Sequence, residues 1–87
     1  RSMARRMDYP TLEETMTDFD ANIIEFRPGD DPLEIAALRG SGLQSMVAYN
    51  GNDEEVFGQL LCMKPDLFNL NRPFEFTRFA QSQLRHG

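Results

Sequence analysis

The 87-residue sequence holds one cysteine, one histidine, one lysine and no tryptophan, and each shortage removes a class of chemistry. With Cys62 alone no internal disulfide can form, so the fold must stand on its core, as is usual in a reducing compartment. One cysteine and one histidine do not make a zinc site. The single imidazole, His86, stands next to the last residue, where a Cys62–His86 nucleophile pair would lack a scaffold. No apolar run approaches the roughly 18 residues of a membrane span, and the N-terminus lacks the apolar stretch of a signal peptide. A soluble, cytoplasmic protein without membrane contact is expected.

Hydrophobic residues make up 40% and charged residues 26% of the chain, which is enough for a folded core and too apolar for disorder. The net charge of -5 is unevenly spread. Residues 1–7 carry +3, from Arg1, Arg5 and Arg6, and are set aside as a disordered or appended segment, leaving 8–87 as one domain. Residues 8–70 carry 13 acids against Arg27, Arg39 and Lys64, a balance of -10. Residues 71–87 carry three arginines against Glu75, a balance of +2. An acidic body repels phosphate backbones and attracts basic surfaces, which disfavours nucleic acid as the main ligand.

Helix-start signals recur along the chain. Thr11 with Glu14 forms a capping box, followed by Leu12, Met16, Phe19, Ile23 and Phe26 at spacings of four and three, the stripe of one helix ending at Arg27-Pro28-Gly29. Residues 22–26 also read as a short strand. Asp31-Pro32 with Glu34 opens a second helix, broken at Gly40-Ser41-Gly42. Ser41 with Gln44 opens a third, closed at Asn50-Gly51, although Asn-Gly also turns hairpins and would then pair Ser45–Tyr49 with Glu55–Phe57. Asn52 caps a fourth helix through Val56, Phe57, Leu60, Leu61 and Met63, which stops at Lys64 before Pro65. Residues 65–73 read as a loop holding Leu67 and Phe68, and Asn71 caps a last helix carrying Phe76, Phe79, Ala80 and Leu84. The expected fold is all-α, four or five short helices around one small core, with α+β and a hairpin at Asn50-Gly51 as the alternative.

Other motifs lack a completing partner. Asp18, Asp20 and Asn22 start an EF-hand pattern, but Ile23 and Gly29 stand where glycine and glutamate are required. Asn50, Asn52, Asp53 and Glu54 lack defined ligand spacing, and capping explains them. Asp30 and Asp31 could act as a carboxylate pair only if one were desolvated. Gly40-Ser41-Gly42 is not preceded by a strand, as a phosphate loop would be. Leu33–Tyr49 resembles a helix-turn-helix, yet Arg39 and Ser41 occupy apolar places and the second helix offers no arginine or lysine. Arg72, Phe74, Phe76, Arg78, Phe79 and Arg85 interleave aromatic and basic groups as single-strand binders do, although two of the aromatics lie on an apolar stripe.

These observations point to a noncatalytic protein–protein interaction module, such as a regulator, inhibitor, adaptor or assembly subunit, with no cofactor and no metal. The expected contact is the helical seam of Leu12, Met16, Phe19, Ile23 and Phe26, rimmed by Glu14, Asp18 and Glu25. Its partner is another protein or a second copy of the chain. The alternative is a nucleic-acid-directed regulator using the helix-turn-helix-like segment or the basic C-terminus.

Overall fold

A computed structural model describes residues 3–86, with the side chain of His86 outside the description. Four strands alternate with helices: β1 (Met3–Arg5), a 3-10 turn (Arg6–Asp8), α1 (Leu12–Met16), β2 (Ile23–Phe26), α2 (Pro32–Ala37), β3 (Gln44–Tyr49), α3 (Glu54–Met63), β4 (Leu67–Leu70) and α4 (Pro73–His86). The strands form one sheet in the order β1-β2-β3-β4. Every pairing is parallel, with Ala4 beside Ile24, Ile24 beside Ser45 and Val47 beside Phe68.

The all-α expectation is therefore corrected: the fold is α/β. The first helix ends at Met16, and its proposed continuation is a strand. Thr11 caps α1 as read, accepting the Glu14 N–H at 3.1 Å. At Thr17 the hydroxyl turns back to the Glu14 carbonyl, and the Asp18 carboxylate accepts the Asp20 N–H in a tight side-chain turn. Such local bonds compete with helix continuation. The adjacent β-branched Ile23 and Ile24 then favour extended backbone. The hairpin alternative is corrected as well, since Ser45–Tyr49 lies in a strand whose neighbours β2 and β4 both run parallel to it. The segment after Asn50-Gly51 is α3, capped by the Asp53 carboxylate on the Glu55 N–H, one residue beyond the Asn52 expected. Residues 67–70 form β4 rather than a loop. Of the segment set aside, Met3–Arg5 forms β1, with Ala4 buried, while Arg1 and Ser2 lie outside the described residues.

Consecutive parallel strands joined by right-handed crossovers carry all their helices on one face of the sheet. The buried set fits this layout: Ala4, Ile24, Phe26, Ser45 and Val47 from the strands meet Leu12, Ile35, Leu38, Phe57, Leu60, Met63 and Phe76 from the helical segments. Phe57 is the hub, with ring centroids 5.3 Å from Phe76, 5.9 Å from Phe79 and 6.1 Å from Tyr49. With Phe57, Leu60 and Met63 on the buried face of α3, Cys62 is turned outward and is exposed.

The N-terminal end of the sheet is tied by bonds between elements. Buried Ser45 gives its N–H to the Asp66 carboxylate at 2.9 Å, and its hydroxyl accepts the Asp66 N–H at 3.0 Å. Arg39 donates to the Lys64 carbonyl at 2.8 Å, joining the ends of α2 and α3; Lys64 itself closes α3 at φ 52.

Candidate functional site

In parallel α/β sheets and barrels, ligands bind where the strands end at their carboxyl side, because the loops there are free to vary over a fixed scaffold. Here that rim presents Arg5 as the last residue of β1 and Arg6 after it, Arg27 after β2, Asn50 and Gly51 after β3, and Asn71 and Arg72 after β4. A motif recurs in three of the four turns: an arginine salt-bridged to an acid three residues on. The pairs are Arg5–Asp8 at 3.1 Å, Arg27–Asp30 at 4.0 Å and Arg72–Glu75 at 3.2 Å. The arginine side chains remain between 51% and 59% exposed. Solvated pairs of this kind are worth about 0–1 kcal/mol, so each guanidinium can exchange its acid for an arriving anion at small cost.

Arg6 is held differently. Its guanidinium grips both carboxylate oxygens of Glu34 at 2.7 and 3.2 Å and donates to the Tyr9 carbonyl at 3.0 Å. The two-pronged bond to Glu34 raises the Arg6 pKa further above its ordinary value, against the opposing effect of burial. This clamp ties the turn after β1 to α2. It also forms one wall of a hollow of about 190 Å³ lined by Arg6, Met7, Arg27, Asp30, Asp31 and Glu34. Asp30 and Asp31 do not act as a carboxylate pair: Asp30 accepts the Arg27 N–H at 2.8 Å, and Asp31 caps α2 on the Leu33 N–H at 2.9 Å.

At the other half of the rim the Asn71 side chain accepts the Gly51 N–H at 2.8 Å, locking the turn after β3 to the one after β4. Asn71 thus holds a neighbouring loop, while α4 begins at Pro73. Beside β1, the Tyr9 hydroxyl donates to the Asp18 carboxylate at 2.6 Å. That bond, followed by burial, raises the Tyr9 pKa above its ordinary 10.0. The neutral phenol is favoured in the fold, so this contribution to stability is present below the unfolded pKa and is lost as pH rises through the folded one. Absorbance at 295 nm against pH should show a component ionising above 10.0 that disappears in Tyr9→Phe. If the component that Tyr9→Phe removes ionises at or below 10.0, the bond is absent in solution.

The expected seam does not exist as one helical face. Leu12 is buried in α1 and Phe26 in β2, Met16 packs at the edge of the core, and Phe19 is 104% exposed in the loop between them. Ile23 and Glu25 are half-buried in β2, on the sheet face opposite Ile24 and Phe26. Glu14 is exposed, and Asp18 is engaged by Tyr9. The helix-turn-helix reading also fails, because β3 occupies the place of its second helix. In the aromatic and basic C-terminal stretch, Phe76 is core, whereas Phe74 is exposed with the Arg78 guanidinium 5.8 Å from its ring centre. Asp18, Asp20 and Asn22 form a turn, and among the described residues no group of three His, Cys, Asp or Glu side chains is placed to hold a metal ion. No described helix is long and apolar enough to cross a membrane.

Asn50, Gly51, Asn71 and Arg72 carry other readings in the sequence, as a turn, a cap and part of a basic stretch, and the rim they share with Arg5, Arg6 and Arg27 was missed, but it left a signal. Strands begin at residues 3, 23, 44 and 67, and most are followed by arginine or asparagine and then an acid. A search for that period would have suggested alternating β and α units.

No family model matches the chain, and no curated protein matches it. Among solved structures, it is similar to the crystal structure of a glycerophosphodiester phosphodiesterase from Agrobacterium tumefaciens, with a TM-score of 0.75 and 30% sequence identity. The likeness covers 93% of this chain and 36% of that one, so the chain spans about a third of the length of the enzyme it resembles.

Proposed function

We propose that this chain supplies four consecutive β/α units of a phosphodiester-binding barrel, and that its share of the work is to hold the anionic group of the ligand at the strand ends. The observation that carries the reading is the set of half-exposed arginines at the ends of β1, β2 and β4, each held only in a solvated ion pair that costs little to exchange. Guanidinium groups suit phosphate because they offer paired donors in a planar fork. The name of the structural neighbour supports a phosphodiester as the ligand class. The reading gives the chain a binding role and assigns no step of hydrolysis to its residues.

Nuclear magnetic resonance titration with glycerophosphocholine tests it. Shifts are expected at residues 5–8, 27–30, 50–53 and 71–75, fading with added salt. Arg27→Gln should weaken binding by about tenfold, the equivalent of about 1.4 kcal/mol. Absence of shifts at millimolar ligand, or shifts confined to the helices, would overturn the proposal. The interaction-module reading is supported by a different feature, the sheet face carrying Ile23, Glu25, Met46 and Leu67, which no described helix covers.

A further inference from the structure

Asn22, Asn52, Asn69 and Asn71 each precede a residue with a bulky side chain, and Asn50 precedes glycine. That order matters chemically, because glycine has no side chain to shield its backbone nitrogen from the carboxamide of the residue before it. Asn50 is exposed, in the turn after β3. The turn is held at two points: the Gly51 N–H donates to the Asn71 side-chain oxygen at 2.8 Å, and the Tyr49 hydroxyl accepts the Asp53 N–H at 3.4 Å. The Tyr49 ring packs edge-to-face on buried Phe57. The nitrogen placed to attack Asn50 therefore has its hydrogen engaged by a residue of the neighbouring turn.

We infer that Asn50 is a site of spontaneous modification and that Asn71 is its guard. In the reaction the Gly51 nitrogen gives up its proton to solvent base and bonds to Cγ of Asn50, closing a succinimide ring. The bond from Cγ to the side-chain nitrogen breaks, and that nitrogen leaves as ammonia after taking a proton from water. One water molecule then opens the ring at either carbonyl, leaving aspartate or isoaspartate. The net change is amide plus water to carboxylate plus ammonium, so no oxidant or reductant is needed. Two conditions govern the rate: the nitrogen must lose its proton, and it must approach Cγ. The bond to Asn71 opposes both, since it stabilises the N–H form and fixes the nitrogen within the turn. Loosening of the two turns releases it, and each conversion leaves one more negative charge at the rim. The modified fraction thus records time spent with these turns unlocked. The inference rests on this bond and on the order of residues, and does not depend on phosphodiester binding.

Peptide mass spectrometry after incubation of the full chain in mildly alkaline buffer tests it. In urea, Asn50 should convert well before Asn22, and in the folded chain it should convert more slowly than in urea. Folded Asn71→Ala should convert Asn50 about fivefold faster than the folded parent, the effect of one lost hydrogen bond, with the rate at Asn22 unchanged. Asn71→Asp keeps an oxygen to accept the Gly51 N–H and should retain the protection. Circular dichroism establishes that each variant is folded. Should Asn71→Ala fail to fold, hydrogen exchange at the Gly51 amide of the parent decides: slowed exchange supports the guard, and exchange at the unfolded-chain rate overturns it. Equal rates at Asn50 in urea and in the folded parent, or in the folded parent and folded Asn71→Ala, overturn the inference. So does an Asn50 no more reactive in urea than Asn22.

Discussion

Phe57→Ala should remove about half or more of the stability of the fold. The ring is 1% exposed and meets three other aromatic rings, at Tyr49, Phe76 and Phe79. It therefore joins β3, α3 and α4. Removing a buried phenylalanine costs about 3–5 kcal/mol in lost transfer energy and residual cavity, and a domain of this size has roughly 5–10 kcal/mol in total. Edge-to-face ring contacts add about 0.5–1.5 kcal/mol each beyond area burial, which puts the loss at the upper end of that range. Urea unfolding followed by circular dichroism reads the effect directly. A midpoint within the error of the unmodified protein would mean that the aromatic cluster is not the centre of the core.

Gly51→Ala should cost about 1–3 kcal/mol and disturb the rim as well. Gly51 sits at φ 152, a region that side chains rarely adopt. A Cβ built there would come within 2.6 Å of the Tyr49 hydroxyl oxygen and 2.8 Å of the ring carbon bearing it. Relief requires the tyrosine ring to move, and that ring packs on Phe57. Relief by the backbone instead would stretch the Gly51 N–H bond to Asn71. The expected result is a lower melting temperature together with altered amide shifts at Gly51, Asp53 and Asn71. A variant with the melting temperature and shifts of the parent would show that this loop is free to rearrange.

How far the fold could be read before its coordinates were known depends on the range of each signal. Caps are local, and Thr11 and Asp31 cap α1 and α2 as their sequences indicate; Lys64 ends α3 where Pro65 requires it. The strands were harder. Ile23 and Phe26 fall by coincidence on the helical spacing set by Leu12, Met16 and Phe19, and four-residue apolar runs do not reveal their own period. What separates the two is the turn from Thr17 to Asn22, whose side-chain bonds become visible only once the chain is folded. Ser45–Tyr49 was recognisable as extended, but its parallel partners lie some 20 residues away on either side, and Asn50-Gly51 drew attention to a nearer, antiparallel one. The site was less legible still. Arg27 and Arg72 look like ordinary surface charges until the sheet sets their turns along one rim.

The two ends of the sheet are secured by unequal means, and this sets where the sequence is free to change. At one end the links run between distant segments: Ser45 with Asp66, and Arg39 with Lys64. At the other end, most ion pairs join residues three apart within a single turn. Replacing one such turn, together with its own acid and arginine, removes no tether between elements, except where Arg6 reaches Glu34 and Asn71 reaches Gly51. New ligand preferences can therefore arise turn by turn at the carboxyl ends of the strands, while at the opposite end a single change at Arg39, Ser45 or Asp66 breaks a tether between distant segments.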